Sequence, residues 1–275
     1  MFSSRAMSWM VTCCFFISAG KDMKSCTIDC TKTGKKKPIS YIYLSIPLPV
    51  MKNKASLLLH LLLLIIVIVE LAGRITDVIY LEYPVKPLIM PWMAAFFLLF
   101  RKKKSLTVPA LLAFFFSWAG DIFLMFSERN ELFFYAGVGG FFLAQLCYIY
   151  VFFRFSETGE RGYLQQHPFV GLLFIAYVAG IYILLLPGLE GIMRPIILLY
   201  ALSLIGMSMM ALNRKGRVNR TSYLLVFIGS LLFVISDSLI AVDRFHGGIP
   251  LGGFWVMLTY IPAQYLIMRG LTLEE

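Results

Sequence analysis

The sequence predicts an all-α membrane protein with about eight transmembrane helices. Hydrophobic residues make up 59% of its 275 positions, charged residues only 15%, and the mean hydropathy is +0.80. A soluble domain of this size cannot bury so much apolar surface in one core. The apolar residues also gather in runs of about 20, the length of helix that crosses a bilayer. We therefore expect an integral, multi-pass membrane protein.

Eight spans follow one another along the chain, each an apolar run between polar or charged segments. The second span is the shortest, and Pro87 and Pro91 inside it indicate either a kink or a start in the membrane interface. The predicted spans are 55–73, 86–100, 106–126, 132–153, 168–186, 194–212, 222–241 and 249–269.

The charge of the connecting loops predicts the topology. The loop after the second span is basic at each of the positions 101–104, and basic residues are also dense in the loop at 214–220. Acidic residues such as Glu128 and Glu190 accompany the loops that follow the odd-numbered spans. Basic loops remain in the cytoplasm, so we expect both termini to be cytoplasmic, in a bacterial inner membrane. This placement accounts for the net charge of +10 without a nucleic-acid partner.

The first 54 residues do not fit the pattern of spans. Their apolar patch is too short to cross a membrane, whereas Met51, followed by two lysines and a long span, is typical of a bacterial membrane-protein start. We expect residues 1–54 to be a disordered or spurious extension, 55–270 to be the transmembrane domain and 271–275 a short tail. Only Cys147 of the five cysteines lies in the helical part, which predicts no disulfide framework.

The spans also form an internal repeat. A cation followed by proline opens the second and the sixth span, an aspartate preceded by a small residue lies late in the third and the seventh, and a glutamine lies in the fourth and the eighth. The chain thus resembles two four-helix halves, and four crossings give both halves the same orientation. The repeated positions are Lys86 and Arg194, Asp121 and Asp237, and Gln145 and Gln264.

The two aspartates are the strongest functional candidates. An ionisable group in a spanning helix costs about 2.5–3.5 kcal/mol at the membrane centre, so it faces a cavity or a partner. The alternative is that Asp121 and Asp237 lie near helix ends and are solvated by lipid head groups. Their matching positions in the repeat favour a shared function.

Several motifs of the spans follow one another in a specific order. They are Lys86-Pro87-Leu88, "AGDIFLMF" at 119–126, "LFVISDSLIAVDRF" at 232–245, "LTYIPAQYLIM" at 258–268, the set Phe134, Gly137, Phe141 and Tyr148, and the set Tyr200, Met207 and Ala211. Together, over about 55–270, they resemble the lysoplasmalogenase (YhhN-like) family of multi-spanning membrane hydrolases. One position departs from the family pattern, because Gln145 stands where the family usually has histidine.

The resemblance implies hydrolysis of the vinyl-ether bond of lysoplasmalogens, with Asp121 and Asp237 as the catalytic pair. A vinyl ether is cleaved by protonation of its β-carbon, which gives an oxocarbenium ion to which water adds. This chemistry requires one protonated carboxylic acid, one carboxylate and no cofactor. Burial and a like-charged neighbour favour such a split in protonation, and glycosidases share the oxocarbenium-like state. Which aspartate is the acid stays open, as does the choice of ethanolamine or choline head group.

Other polar residues are candidates for binding the lysophospholipid. Lys86 or Arg194 could hold its phosphate, or could extend to the interface. Water or the glycerol hydroxyl could be oriented by Gln145, Tyr148, Tyr260 and Gln264, although such groups also tie helices together. Asp243 and Arg244 are expected in a solvated loop. The three histidines are scattered, so no metal is expected, and the predicted partners are substrate and membrane lipid rather than another protein.

A small proton-coupled transporter is the alternative function, because repeated halves with intramembrane aspartates also bind coupling ions. A purely structural membrane protein with paired aspartates is a third. Transport predicts ion-dependent flux into liposomes, whereas hydrolysis predicts aldehyde release in detergent.

Overall fold

Eight long α-helices make up most of the part of the chain that the structure describes. The computed structural model describes residues 54–76, 79–102, 106–154 and 161–273, and no β-strand occurs in these ranges. The predicted extension at 1–54 lies outside them, apart from Lys54. A one-turn helix, Tyr163–Gln166, and a 3-10 turn, Leu186–Gly188, lie in connections. The long helices are α1 Lys54–Thr76, α2 Ile79–Phe100, α3 Thr107–Met125, α4 Glu131–Arg154, α5 Phe169–Leu185, α6 Met193–Asn213, α7 Arg220–Phe245 and α8 Gly252–Thr272.

The chain is an integral, multi-pass, all-α membrane protein. Within the described ranges, seven helices, α1 to α7, contain a stretch long and apolar enough to cross a membrane. Helix α8 has 21 residues, but Gln264 and Arg269 lower its hydropathy. Its Tyr260 and Gln264 are buried, and the helix packs against α1, α2 and α7. Polar groups in such a helix face the bundle, because lipid cannot solvate them.

The predicted helix bounds agree with the structure best in the middle of the chain. Helices α3, α4, α5 and α6 begin and end within one residue of the predicted spans. Helix α2 begins seven residues earlier than predicted and includes Pro84 as well as Pro87 and Pro91. Helix α7 continues four residues further, and α8 lies three residues further along the chain, so Leu271 and Thr272 are helical rather than part of a tail.

Glycines bring two helix pairs into close contact. A Cβ atom on Gly140 of α4 would lie 2.9 Å from the backbone nitrogen of Gly120 on α3, and one on Gly229 of α7 would lie 2.8 Å from the carbonyl oxygen of Ala263 on α8. Small residues permit this approach of backbones in membranes. Each pair contains one aspartate helix, so these contacts fix α3 and α7. The two-fold internal repeat itself stays a prediction.

Candidate functional site

A cavity of about 650 Å³ lies at one end of the bundle, where α1, α3 and α7 end and α2, α4 and α8 begin. Asp121 and Asp237 both line this cavity, although only 2% and 6% of their surfaces are exposed. We refer to it as the polar cavity. The structure therefore brings the two predicted aspartates together from helices that are far apart in sequence.

Asp121 is held by one neutral and one charged partner. Tyr260 of α8 donates a hydrogen bond from Oη to Asp121 Oδ2 at 2.8 Å. The ammonium of Lys86 on α2 lies 4.0 Å from Asp121 Oδ1, and Lys86 is itself buried. A cation at this distance stabilises negative charge on the carboxylate, and more strongly in a buried site than in water. Lys86 and Tyr260 both line the polar cavity.

Asp237 is held by hydroxyl and amide groups. Tyr200 of α6 donates a hydrogen bond from Oη to Asp237 Oδ2. The amide of Gln145 on α4 donates to the same oxygen at 3.3 Å, and Ser203 donates to Gln145 Oε1. Gln145 is thereby fixed with its NH₂ group toward the carboxylate. Both donors end on Oδ2, which leaves Oδ1 as the oxygen that can carry an acidic proton.

Gln264 and Tyr148 support the site from behind. Tyr148 donates to Gln264 Oε1 at 2.5 Å, and Gln264 Nε2 donates to Ser117 Oγ at 3.1 Å and to Tyr260 Oη at 3.3 Å. Gln145, Gln264 and Tyr148 are fully buried and are not part of the cavity lining. Gln145 contacts Asp237 directly, whereas Tyr148 and Gln264 act on Tyr260, the residue that contacts Asp121.

A narrow apolar pocket adjoins the polar cavity at Asp237. The pocket has a volume of about 60 Å³ and lies between α4, α5, α6 and α7. Its walls include Val178, Ala201 and Leu204. Five side chains line both the pocket and the polar cavity: Asp237, Leu124, Phe134, Phe141 and Ile240. The site therefore combines a wide polar space and an apolar slot on either side of one carboxylate.

Charged residues surround the outer part of the polar cavity. Arg74, in the last turn of α1, donates to Glu70 Oε1 from Nε and Nη2 at 3.3 Å, and Glu70 is fully buried. Arg244 and Asp243 also line the cavity. Both residues belong to the last turn of α7, which corrects the expectation that they lie in a loop. The guanidinium of Arg244 stacks over the ring of Phe134 at 5.1 Å.

Arg194, another predicted site residue, also does not line this cavity. It is exposed at the start of α6, and its Nε donates to the carbonyl oxygen of Leu189 at 3.0 Å. The guanidinium thus closes the preceding turn and is not part of the cavity lining. Among the described residues, no cluster of three His, Cys, Asp or Glu side chains could hold a metal ion.

Sequence reasoning missed the contact of Tyr200 with Asp237 and the position of Arg74. Tyr200 stood only in a family motif, and nothing in its spacing showed that α6 packs beside Asp237. A local signal was available for Arg74, since Glu70 and Arg74 are four residues apart near the end of a predicted helix.

Fold and site together define a multi-pass α-helical membrane protein with two buried carboxylates on one internal cavity. The sequence profile of the YhhN family matches residues 81–271, and the chain belongs to the YhhN family. The chain is 30% identical, over 156 residues, to a Bos taurus protein named lysoplasmalogenase TMEM86A. That match covers 55% of this chain and 60% of the bovine protein, so it spans less than two thirds of the relative. No solved structure matches the chain.

Proposed function

We propose that this protein is a hydrolase that cleaves the vinyl-ether bond of lysoplasmalogens, giving a fatty aldehyde and a glycerophospho head group. The observation that carries the proposal is the junction at Asp237 between the polar cavity and the apolar pocket. A single-chain ether lipid has the same division into a polar head and an apolar tail, with the vinyl ether between them. The similarity to a lysoplasmalogenase supports the same substrate class.

The polarity of the two spaces favours one orientation of the lipid. The first part of its alkenyl chain would enter the pocket between α4 and α7, and its glycerophospho head would lie in the wider cavity. The reacting double bond would then lie beside Asp237, where the two spaces meet. Holding the bond next to the catalytic groups removes much of the entropic cost of reaction.

Asp237 is the better candidate for the general acid. The proton must reach the β-carbon, which belongs to the alkenyl side of the ether, and Asp237 is the aspartate that lines the apolar pocket. When Asp237 has given up its proton, the hydrogen bonds from Tyr200 and Gln145 stabilise the resulting carboxylate. Gln145 supplies this hydrogen bond without a titratable group of its own.

Asp121 would act as the carboxylate. The nearby Lys86 ammonium favours its charged form, and a carboxylate can stabilise the oxocarbenium ion and remove a proton from the attacking water. Water adds to the α-carbon, and the hemiacetal then breaks its carbon–oxygen bond to release the aldehyde and the free glycerol hydroxyl. One water is consumed, and no oxidant or reductant is needed.

The test is aldehyde release from 1-alkenyl lysophosphatidylethanolamine by purified protein in detergent. Asp121→Asn and Asp237→Asn should each lower the rate by about a hundredfold to ten-thousandfold, the usual contribution of an acid or base. Glu190→Gln, in the connection between α5 and α6, is a matched control that should keep the parent rate. A folded parent that releases no aldehyde, or activity that survives both aspartate substitutions, would refute the proposal and direct attention to liposome flux.

Our proposal for the topology keeps both termini in the cytoplasm of a bacterial inner membrane, with α8 as the eighth crossing. The basic residues in the loops after α2 and α6 support it. The polar cavity would then open on the opposite side. Reporter fusions at the C-terminus and in the connection between α7 and α8 should report opposite sides of the membrane, and a shared side would contradict this topology.

A further inference from the structure

Arg244 and Asp237 lie on the same face of α7. They are seven residues apart, which is two helical turns and places them about 10 Å apart along the axis. Both line the polar cavity. Arg244 therefore marks the level of the cavity mouth on this wall, whereas Asp237 marks its inner end.

Arg74 of α1 also lines the polar cavity, beside the start of α8. Its Nη1 lies 3.0 Å from the position that a Cβ atom on Gly253 would occupy, so the guanidinium rests on the first turn of α8. Gly253 is seven residues before Tyr260, the tyrosine that donates to Asp121. Because α7 ends where α8 begins, the two arginines lie at one end of the bundle. Arg244 is about two helical turns beyond Asp237, and Arg74 contacts α8 about two turns before Tyr260.

The axial distance of about 10 Å between Asp237 and Arg244 is close to the distance between the vinyl ether and the phosphate of the proposed substrate. Seven covalent bonds join the vinyl β-carbon of a lysoplasmalogen to its phosphorus atom, and an extended chain reaches about 8 Å over seven bonds. A substrate with its double bond at Asp237 thus places its phosphate near the level of Arg74 and Arg244. Arginine suits this task because its planar guanidinium matches the geometry of phosphate oxygens.

From this geometry we propose that Arg74 and Arg244 form a phosphodiester-binding subsite that sets the depth of the lipid in the polar cavity. The proposal rests on the proposed function for the identity of the lipid. Glu70 positions the guanidinium of Arg74, since its buried carboxylate accepts hydrogen bonds from both Nε and Nη2 of that arginine. Lys86 lies deeper and pairs with Asp121, so it has a different task from the two arginines.

The kinetic test compares two substrates, 1-alkenyl lysophosphatidylethanolamine and 1-alkenylglycerol, which lacks the phosphate. Arg244→Gln and Arg74→Lys should lower kcat/KM for the phospholipid about tenfold to a hundredfold, mostly through KM, because a charge-assisted contact is lost. Their kcat/KM for 1-alkenylglycerol should stay within about twofold of the parent value, because this substrate has no phosphate for the arginines to bind. Equal losses on both substrates would overturn the subsite.

Arg129→Gln is the matched control. Arg129 is also exposed, lies in the connection between α3 and α4 and stacks over a phenylalanine ring, Phe126, at 5.1 Å. It is not part of the cavity lining. The control should behave as the parent on both substrates, and a phospholipid-specific loss in this variant would show that general surface charge, not the subsite, draws the substrate in.

A binding measurement separates this inference from the proposed function. The saturated ether 1-alkyl lysophosphatidylethanolamine cannot be cleaved, but it should raise the unfolding temperature of the parent in maltoside micelles more than 1-alkylglycerol does. Arg244→Gln should abolish that difference. If the phospholipid raises the unfolding temperature more than 1-alkylglycerol does, while the parent releases no aldehyde from any vinyl ether, the subsite is supported and the hydrolase proposal is refuted. If the parent hydrolyses vinyl ethers but shows no such difference, the subsite is refuted alone.

Discussion

Gly140 lies on α4 where this helix contacts α3, and its replacement by alanine should force the two helices apart. The new Cβ atom would lie 2.9 Å from the nitrogen and 3.0 Å from the Cα of Gly120, and 3.1 Å from the carbonyl oxygen of Phe116. Every one of these neighbours is backbone, so no side chain can rotate away. Carbon atoms prefer a separation of about 3.5–4.0 Å, and α3 must therefore shift by roughly 0.5–1 Å.

The expected cost has two parts. Overpacking of this kind destabilises proteins by about 1–3 kcal/mol, and a displacement near 1 Å at a catalytic group can lower the rate about a hundredfold. Asp121 follows Gly120 directly, so the shift is transmitted to the carboxylate. Gly140→Ala should therefore unfold at a lower temperature in maltoside micelles, followed by intrinsic fluorescence, and should release aldehyde much more slowly.

Gly139→Ala is the matched control, one residue earlier on the same helix. A Cβ atom there would meet nothing within 4 Å, and alanine favours the helix over glycine by up to about 1 kcal/mol. This variant should be as stable as the parent or slightly more so, with unchanged activity. Equal behaviour of the two variants would refute the reasoning, because it would show that the contact between α3 and α4 is not tight.

Three further predictions concern the groups around Asp237. Tyr200→Phe should lower kcat about tenfold with little change in KM, because it removes a hydrogen bond to Asp237, the proposed general acid, whose carboxylate form that bond stabilises. Gln145→Leu should have a similar effect on kcat, since it removes the amide that Ser203 orients toward Asp237, whereas Gln145→His retains a ring donor and should keep more of the activity. Ala201→Leu should narrow the apolar pocket and lower kcat/KM for long-chain substrates more than for short-chain ones.

Each of these predictions has either a control variant or a result that would contradict it. Tyr182→Phe removes a tyrosine hydroxyl that donates to the backbone of Arg194 outside both cavities, and it should leave kcat unchanged. A Gln145→Leu enzyme with the parent rate would show that Asp237 does not need the amide. For Ala201→Leu, an equal loss of kcat/KM for short-chain and long-chain substrates would show that the alkenyl chain does not bind in the apolar pocket.

The helix bounds were predictable where the membrane itself determines them. Helices α3 to α6 cross a layer of fixed thickness between polar loops, and a count of apolar residues locates their ends to within one residue. The last turn of α7 was not predictable in this way. Asp243 and Arg244 read as loop residues because they are charged, but a cavity solvates them while the helix continues.

Sequence analysis could predict those residues of the candidate site whose burial in the membrane costs free energy. It predicted Asp121 and Asp237 because an ionisable group in a spanning helix is unfavourable unless it faces a cavity or a partner. Tyr200 carries no such cost, and only the packing of α6 beside α7 shows that it contacts Asp237. The repeat suggested Arg194 as the counterpart of Lys86, but the two local environments differ, because the Arg194 side chain binds the Leu189 carbonyl oxygen.

The arrangement of the two spaces around Asp237 bears on where the products of the proposed reaction would go. The polar cavity lies at a bundle end, beside the connections between helices, whereas the apolar pocket is walled by α5, whose outer face carries exposed side chains such as Leu173 and Ile175. The proposed cleavage at their junction would free a water-soluble head-group fragment into the polar cavity and a lipid-soluble aldehyde into the apolar pocket. Under this proposal each product leaves by its own route, the first toward water and the second toward lipid, and neither has to pass the other.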